Sequence, residues 1–311
     1  MPKRSLAEQL DQAVQALLKH PDSAPSSTDA QLRELLAIAA ELRELPRKEF
    51  KDNLKDDLQR RAQMSTTAVN PIRQGFHTLT PYLIVPRAAE VLEFAHPEFG
   101  VHDAAVRLGD SMLEIGEANE QFSPLPASIH LKVEDVDAVY AKALEAGGVS
   151  LYPPTDHEYG ERDGGVKDPG GNHWYIGSPR GKTHFLPDQR SVTPCLHITG
   201  ATGCIDFLKQ AFGAEEVMRH QSPDGILRHA KMRLGDTVVE MSEARREFPA
   251  MPANLHLYVA DTDAVYQRAL AAGATSVREP RDEPYGDRSG GVRDPFGNVW
   301  WIATHIRDVA F

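Results

Sequence analysis

The feature that most constrains this chain of 311 residues is an internal repeat. Residues 130–176 match residues 256–302 without a gap, and more than half of the positions are identical. A match of this length means that one structural unit occurs twice. Any fold for the chain must therefore accommodate two homologous copies.

The match continues upstream of this segment. The stretch LGDSMLE pairs with LGDTVVE, and TPYLIV pairs with TPCLHI. We therefore predict a first domain at residues 71–187 and a second at residues 188–311. A separate segment at residues 1–70 precedes them, and within it Ser5 and Glu8 can form the capping box of an amphipathic helix, so a helical segment is predicted there.

Within each copy the predicted pattern is strand, helix, strands, followed by strand, helix, strands again. In the first copy, Val136, Val139 and Tyr140 lie at helical spacing, Asp135 can cap the start of this helix, and Gly147 can end it. The segments DPGGN and DPFGN predict tight turns between strands. The fold class is therefore α+β, with tandem domains of the βαβββ type.

The two copies differ between the first strand and the LGD strand. The second copy carries the long stretch CIDFLKQAFGAEEVMRHQSPDGILRHAKMR, and the first carries only AAEVLEFAHPEFGVHDAAVR. This difference predicts that the first domain is shortened and lacks an edge strand, and that the second domain is the more complete one.

Composition excludes several classes of partner. A formal net charge of −11 without a cluster of Lys and Arg argues against nucleic-acid binding. No stretch approaches the roughly 18 apolar residues of a membrane helix, so no membrane partner is expected. Cys195 and Cys204 show neither CxxC spacing nor the density of a disulfide scaffold, which indicates a reducing compartment and a cytoplasmic location.

The quoted segments, together with YGERDGGVKDPGGNHWYI, resemble the vicinal oxygen chelate superfamily of glyoxalases, bleomycin-resistance proteins and extradiol dioxygenases. The PhnB-like branch is the most similar. This resemblance implies paired βαβββ modules whose curved sheets enclose a cup. In many members the cup holds a divalent metal, with ligands from the first, fourth, fifth and eighth strands.

Carrying over these four ligand positions implies that the metal site is lost. A transition metal needs at least three His or carboxylate ligands, and only the fourth-strand position keeps such a residue. We therefore expect neither a metal nor another cofactor. The four positions fall on Thr80 and Thr193, Glu114 and Glu240, Ser128 and Asn254, and Tyr175 and Trp301.

Other polar and aromatic residues are candidates for ligand contact. By strand alternation His130 and His256 face the cups, as do His197 and Cys195 in the second copy, and His229 lies on the strand before LGD. Tyr175 and Trp301 could form aromatic floors or simply fill the core. The predicted ligand-binding residues are thus Glu240, His256, Trp301, Cys195, His197, His229, Glu114, His130 and Tyr175.

Two arginines are predicted to have a structural role. Arg162 and Arg288 each lie a few residues before an aspartate, Asp168 or Asp294. We expect each arginine to order its hairpin by an ion pair.

These observations support one leading hypothesis and two alternatives. The leading hypothesis is a metal-free protein that holds a small organic molecule in the cup of the second domain. The alternatives are a metal-dependent lyase, isomerase or dioxygenase using Glu240, His256 and either His229 or His197, and a metabolite sensor or scaffold acting through the N-terminal helices. Because the two domains can pair within one chain, a monomer or a homodimer is expected.

Overall fold

A computed structural model describes residues 70–95, 103–120, 122–181, 183 and 185–309. Residues from Val69 onward form one compact unit. The helices predicted within residues 1–70 lie outside the described residues. No helix in the described part of the chain is long and apolar enough to span a membrane.

Within the described residues, the first copy of the repeat contributes seven strands and two helices. In chain order they are β1 (Leu79–Val85), α1 (Ala88–Ala95), β2 (Asp103–Leu108), β3 (Ser111–Glu117), β4 (Ser128–Lys132), α2 (Val136–Glu145), β5 (Val149–His157), β6 (Glu161–Lys167) and β7 (His173–Pro179).

The second copy contributes eight strands and two helices. They are β8 (Val192–Ile198), α3 (Ala201–Phe212), β9 (Glu215–Gln221), β10 (Leu227–Leu234), β11 (Thr237–Glu243), β12 (Asn254–Tyr258), α4 (Thr262–Ala271), β13 (Thr275–Asp282), β14 (Asp287–Arg293) and β15 (Val299–His305). The α+β class and the two tandem domains are therefore confirmed.

Local signals in the sequence fix the ends of the repeated helix. The Asp135 carboxylate accepts a hydrogen bond of 3.0 Å from the backbone N–H of Ala138 and so caps α2. Gly147 follows the helix with φ of 93°, a left-handed conformation that favours glycine. The predicted start and end of this helix are both confirmed.

The two copies exchange halves in forming the sheets. A seven-stranded sheet has the order β13-β14-β15-β12-β1-β3-β2, and an eight-stranded sheet has the order β5-β6-β7-β4-β8-β11-β10-β9. Each sheet thus joins half of one copy to half of the other. The prediction that the second domain encloses a cup by itself is wrong, because its two halves lie in different sheets.

Two antiparallel seams join the copies. Strand β4 pairs with β8, placing Ser128 opposite Cys195, and β1 pairs with β12, placing Thr80 opposite His256. Beyond these seams the sheets differ at one edge, since the seven-stranded sheet ends at β2 and the eight-stranded sheet continues to β9. The eight-stranded sheet therefore wraps further around its concave face.

The DPxGN turns are held by buried side-chain networks. Asp294 accepts hydrogen bonds of 2.9 Å from the Trp300 indole N–H and 2.8 Å from the Asn298 amide, and Asp168 does the same for Trp174 and Asn172. Both indoles are buried. Each turn is therefore tied to the strand that follows it.

The two arginines have structural partners other than those that the sequence suggested. Arg162 binds Asp137 on α2 through two hydrogen bonds of 2.7 Å, and Arg288 binds Asp263 on α4 in the same way. The expected partners in the turns are already taken by asparagine and tryptophan donors. Each arginine also binds an aspartate across its own hairpin, Asp156 at 3.1 Å and Asp282 at 2.9 Å. The ion pairs therefore order each hairpin and also join it to a helix, through aspartates other than those in the turns.

The turn network generates a stability prediction. We expect Asp294→Ala to lower the free energy of unfolding by about 2–4 kcal/mol, because it leaves several buried N–H groups without an acceptor. The measurement is urea unfolding followed by circular dichroism. Asp282→Ala is the control, since it removes a half-exposed carboxylate and should cost at most about 1 kcal/mol. Equal losses in the two variants would contradict the role assigned to Asp294.

Candidate functional site

The eight-stranded sheet encloses a cavity of about 450 Å³, called here the Glu240 cavity. Every one of its eight strands contributes at least one lining residue, which shows how far the sheet curves. The cavity therefore belongs to both copies of the repeat. It is lined by His130, Tyr152, Tyr159, Glu161, Asp163, Tyr175, Cys195, His197, His220, Arg228, His229, Glu240, Ser242, Arg245 and Phe248.

A buried ionic network holds Glu240 on β11. Its Oε1 atom lies 2.8 Å from Nζ of Lys231 and accepts a hydrogen bond of 2.8 Å from the Gln189 amide. Its Oε2 atom lies 3.0 Å from Nδ1 of His130. Lys231 also donates a hydrogen bond of 2.6 Å to the side-chain amide oxygen of Gln189. Both oxygens of the carboxylate are therefore occupied by protein donors.

Mutual attraction sets the charges within this network. Burial opposes ionisation of Glu240, but the positive charge and hydrogen bond of His130, together with Lys231, bring the pKa of Glu240 well below its usual value. Burial likewise opposes protonation of His130, yet the Glu240 carboxylate outweighs it and raises the pKa of His130. The network therefore favours the charged carboxylate at Glu240 and the protonated ring at His130.

The other face of the His130 ring is closely packed. Its Nε2 atom is buried without a hydrogen-bond partner in the described chain and lies 4.0 Å from a Glu161 oxygen. Gly177 makes room for the ring, because a Cβ atom there would lie 2.5 Å from His130 Nε2. Burial raises the pKa of the Glu161 carboxyl.

A second hydrogen-bond chain crosses the floor of the cavity. The Tyr175 hydroxyl lies 3.0 Å from Nε2 of His197, and His197 Nδ1 lies 2.9 Å from the Ser242 hydroxyl. Burial lowers the pKa of His197 to about 4, so this imidazole is neutral near pH 7. The neutral ring can then accept a hydrogen bond at Nε2 from the Tyr175 hydroxyl. Burial raises the pKa of Tyr175, so this hydroxyl keeps its proton.

Aromatic rings cover much of the wall. Tyr152 stacks on Tyr175 with ring centroids 6.4 Å apart, and Phe248 packs edge-on against Tyr175 at 5.8 Å. Beside them the Tyr159 hydroxyl donates a hydrogen bond of 2.7 Å to Asp163 Oδ2. The cavity thus offers flat apolar surfaces next to a carboxylate.

Cys195 and His229 also line the Glu240 cavity. Cys195 is buried directly opposite Glu240 in the sheet, and burial raises the pKa of its thiol well above the usual value. It is therefore an unreactive thiol rather than a thiolate. His229 on β10 lies opposite His220 on β9 at the rim.

The seven-stranded sheet carries the corresponding residues of a second site, called here the Glu114 cup and formed by Glu114, His256, Trp301, Arg278 and Phe122. Glu114 Oε2 lies 2.9 Å from His256 Nδ1. The Trp301 ring packs against Phe122 and under the Arg278 guanidinium, with centroid distances of 5.8 and 5.0 Å. The cup is lined differently from the Glu240 cavity, since no residue equivalent to Lys231 contacts its glutamate among the described residues.

The structure divides the predicted ligand-binding residues between these two places. His130, Tyr175, Cys195, His197, His229 and Glu240 come together in the Glu240 cavity. Glu114, His256 and Trp301 lie in the Glu114 cup, because β3, β12 and β15 belong to the other sheet. His256 therefore does not share a site with Glu240.

Sequence reasoning missed Lys231, Gln189 and Asp163. The available signal for Lys231 was its place in the hairpin, since counting back from the LGD turn sets it opposite Glu240 with the same inward parity. Gln189 lies between the two copies, where no periodicity indicates which way a side chain points.

Comparison with known proteins identifies the family. The model of the Glyoxalase/Bleomycin resistance protein/Dioxygenase superfamily matches residues 74–176 and 202–302. The chain belongs to this superfamily. An uncharacterized protein of Mycobacterium tuberculosis is 38% identical over 141 residues, which cover 42% of this chain and 83% of that protein. An uncharacterized protein of Mycobacterium bovis is 40% identical over 130 residues, covering 38% of this chain and 86% of that protein.

Solved structures agree on the fold. The crystal structure of glyoxalase I from Zea mays superposes with a TM-score of 0.54 at 15% identity, covering 73% of this chain and 92% of that one. At this identity the similarity concerns the fold alone.

The residues of this superfamily member do not fit the metal that many relatives hold. At Glu240 both oxygens are occupied, and the Lys231 ammonium already supplies a positive charge at 2.8 Å. In the Glu114 cup, His256 directs Nδ1 at the glutamate, and the indole N–H of Trp301 is a donor rather than a ligand. Across the residues that the structure describes, no group of three His, Cys, Asp or Glu could hold a metal ion.

The buried ion pair generates a second stability prediction. We expect Lys231→Met to lower the free energy of unfolding by about 3–5 kcal/mol, because it leaves Glu240 buried without its ammonium partner. Adding Glu240→Gln should restore a large part of that loss. Lys209→Met is the matched control, since this exposed lysine pairs with Glu216 and should contribute at most about 1 kcal/mol. Failure of the double variant to recover stability in urea unfolding would contradict the pairing.

The Glu114 cup generates a prediction on pH. The Glu114 carboxylate overcomes burial and raises the pKa of His256 above its usual 6.5. The stabilisation by this pair is therefore complete below the unfolded pKa of 6.5 and is lost as the pH rises through the higher folded value. We expect the difference in unfolding free energy between wild type and Glu114→Gln to be larger near pH 6 than near pH 9.

The control for this measurement is Glu90→Gln, which removes an exposed partner of Arg87. Because this exposed pair contains no histidine, the Glu90→Gln difference should stay constant between about pH 6 and pH 9. A Glu114→Gln difference that grew with rising pH would refute the assigned charge state.

Proposed function

We propose that this superfamily member binds a small organic molecule in the Glu240 cavity and does so without a metal ion. The observation that carries the proposal is that Lys231, Gln189 and His130 occupy both oxygens of Glu240. A fixed ammonium takes the electrostatic place that a metal ion would need. Ligand binding then rests on the shape, aromatic surface and charge of the cavity.

The dimensions and lining of the cavity support this proposal. A volume of about 450 Å³ lies within the range of roughly 300–1,000 Å³ that is common for small-molecule sites. Tyr152, Tyr175 and Phe248 provide the flat apolar surface that a planar molecule needs. Sequestration of a planar or cationic compound, as in bleomycin resistance, is the form that we favour, together with placement in the PhnB-like branch.

We further propose a reducing, cytoplasmic setting. Cys195 and Cys204 are both buried and both free. Free thiols of this kind are usual where disulfides do not persist.

The test is a thermal-shift screen of planar aromatic and cationic compounds with excess EDTA present throughout. We expect hits whose affinity does not change when EDTA is replaced by Zn²⁺ or Mn²⁺, and elemental analysis of the purified protein should show no stoichiometric divalent metal. Phe248→Ala should weaken these hits about tenfold, because it removes part of the aromatic wall.

Phe122→Ala is the matched control, since this half-buried phenylalanine packs against Trp301 in the other cup. It should leave the affinity of the same compounds unchanged. Binding that appears only with added metal, or that responds equally to both variants, would count against the proposal.

A further inference from the structure

The Glu240 cavity has an acidic side and a basic side, and on this basis we propose that its ligand is dipolar. The ligand would carry a cationic nitrogen group toward Asp163 and an anionic group toward Arg228 and Arg245, with a flat apolar body between them. This inference rests on the proposed function and names the chemical class of the ligand.

The acidic side comes from β6 of the first copy. Asp163 is buried and lines the cavity, with Oδ2 bound by the Tyr159 hydroxyl at 2.7 Å and lying 3.2 Å from Nε2 of His157. Its other oxygen, Oδ1, is buried and accepts no hydrogen bond from the described residues. A buried carboxylate oxygen without a donor is costly, and a cationic N–H group would relieve that cost.

The acidity of this side is strengthened by a neighbour. Glu161, two residues earlier on the same strand, is also buried and faces the same cavity. Its nearest cationic neighbour, His130, is 4.0 Å away and is already bound to Glu240. A cation that enters between Asp163 and Glu161 would therefore meet carboxylates that the protein itself only partly neutralises.

The basic side comes from the second copy. Arg228 on β10 donates to the Ser222 hydroxyl at 3.0 Å, but its carboxylate neighbour Asp224 is 3.9 Å away. Arg245 follows β11 and lies over the Phe248 ring at 4.7 Å, with Glu247 at 3.9 Å. Distances of 3.9 Å are too long for hydrogen bonds, so both guanidinium groups keep donors for an anion.

The strand order places Asp163 and Arg228 on opposite walls, while Arg245 follows the floor strand next to the Arg228 wall. Strand β6 is next to one edge of the eight-stranded sheet, and β10 is next to the other edge. The four strands between them, β7, β4, β8 and β11, carry the floor residues Tyr175, His130, His197 and Glu240. A molecule resting on the floor therefore meets the Asp163 carboxylate at one end and the Arg228 guanidinium at the other, with Arg245 on the side of Arg228.

Comparison of the two copies shows that this charge separation is not a requirement of the fold. The residue equivalent to Asp163 in the second copy is Ser289, although β14 and β6 occupy equivalent places in their sheets. Positions that do serve the fold, such as Asp168 and Asp294, are the same in both copies. Asp163 therefore serves the cavity rather than the architecture.

The test uses three probes that share one ring. They are 4-(aminomethyl)benzoate, which carries both charges at opposite ends, 4-methylbenzylamine, which keeps only the cation, and 4-methylbenzoate, which keeps only the anion. Dissociation constants are measured by calorimetry or by NMR titration of the full chain near pH 7. We expect the dipolar probe to bind at least about tenfold more tightly than either singly charged probe, because each charged hydrogen bond adds about one order of magnitude.

Variants assign each charge to its wall. Asp163→Asn should weaken the dipolar probe and the amine about tenfold while leaving the benzoate unchanged, and Arg245→Gln should weaken the dipolar probe and the benzoate while leaving the amine unchanged. Because Arg245 is exposed, its replacement does not threaten folding even if Asp163→Asn proves unstable.

The outcomes separate this inference from the proposed function. Equal affinity for the amine and the dipolar probe, with no effect of Arg245→Gln, would overturn the dipolar ligand but leave a cation-binding cavity and the proposed function intact. If none of the three probes binds at millimolar concentration, the dipolar inference fails, while the proposed function still stands or falls by the metal-free compound screen.

Discussion

The pairing of strands between the two copies is the interaction on which the rest of the structure depends. At the β4–β8 and β1–β12 seams, half of one copy pairs with half of the other. The result is two sheets, each with more strands than one half contributes. Unpaired edges at these four strands would leave rows of backbone donors and acceptors open to water or to other chains. Because both sheets cross the seams, the Glu240 cavity exists only when both copies are present.

The Lys231–Glu240 pair determines what chemistry the cavity can support. Removing these two charges from water has a large free-energy cost. Hydrogen bonds from Gln189 and His130 to the pair offset part of that cost. The carboxylate that the superfamily resemblance marks as a metal ligand is thereby committed to protein donors. In the Glu114 cup the corresponding glutamate contacts His256 just as Glu240 contacts His130. The two sites differ because Ala105 lies opposite Glu114 in the sheet, where Lys231 lies opposite Glu240.

The two copies keep the same residues in the turns and in the helix-to-strand ion pairs, and they differ at several positions that line the two sites. Asp168 and Asp294 organise equivalent turns, and Arg162 and Arg288 join equivalent helices to equivalent strands. Tyr175 corresponds to Trp301 and Asp163 to Ser289, which changes both the shape and the charge of the walls. The two sites thus share one Glu–His pair and are distinguished by the residues around it.

The sequence by itself determined the α+β class, the repeat, the capped helix at Asp135 and the inward-facing parity of residues such as His130, because these depend on local spacing and strand alternation. Only the tertiary structure decided which half of one copy pairs with which half of the other. That choice separates His256 from Glu240 and brings His130 of the first copy to the carboxylate, whereas Lys231 reaches it across the local β10–β11 hairpin. Pairing of strand edges is a long-range interaction, and residues 42 or more positions apart leave no periodic signal of their contact in one sequence.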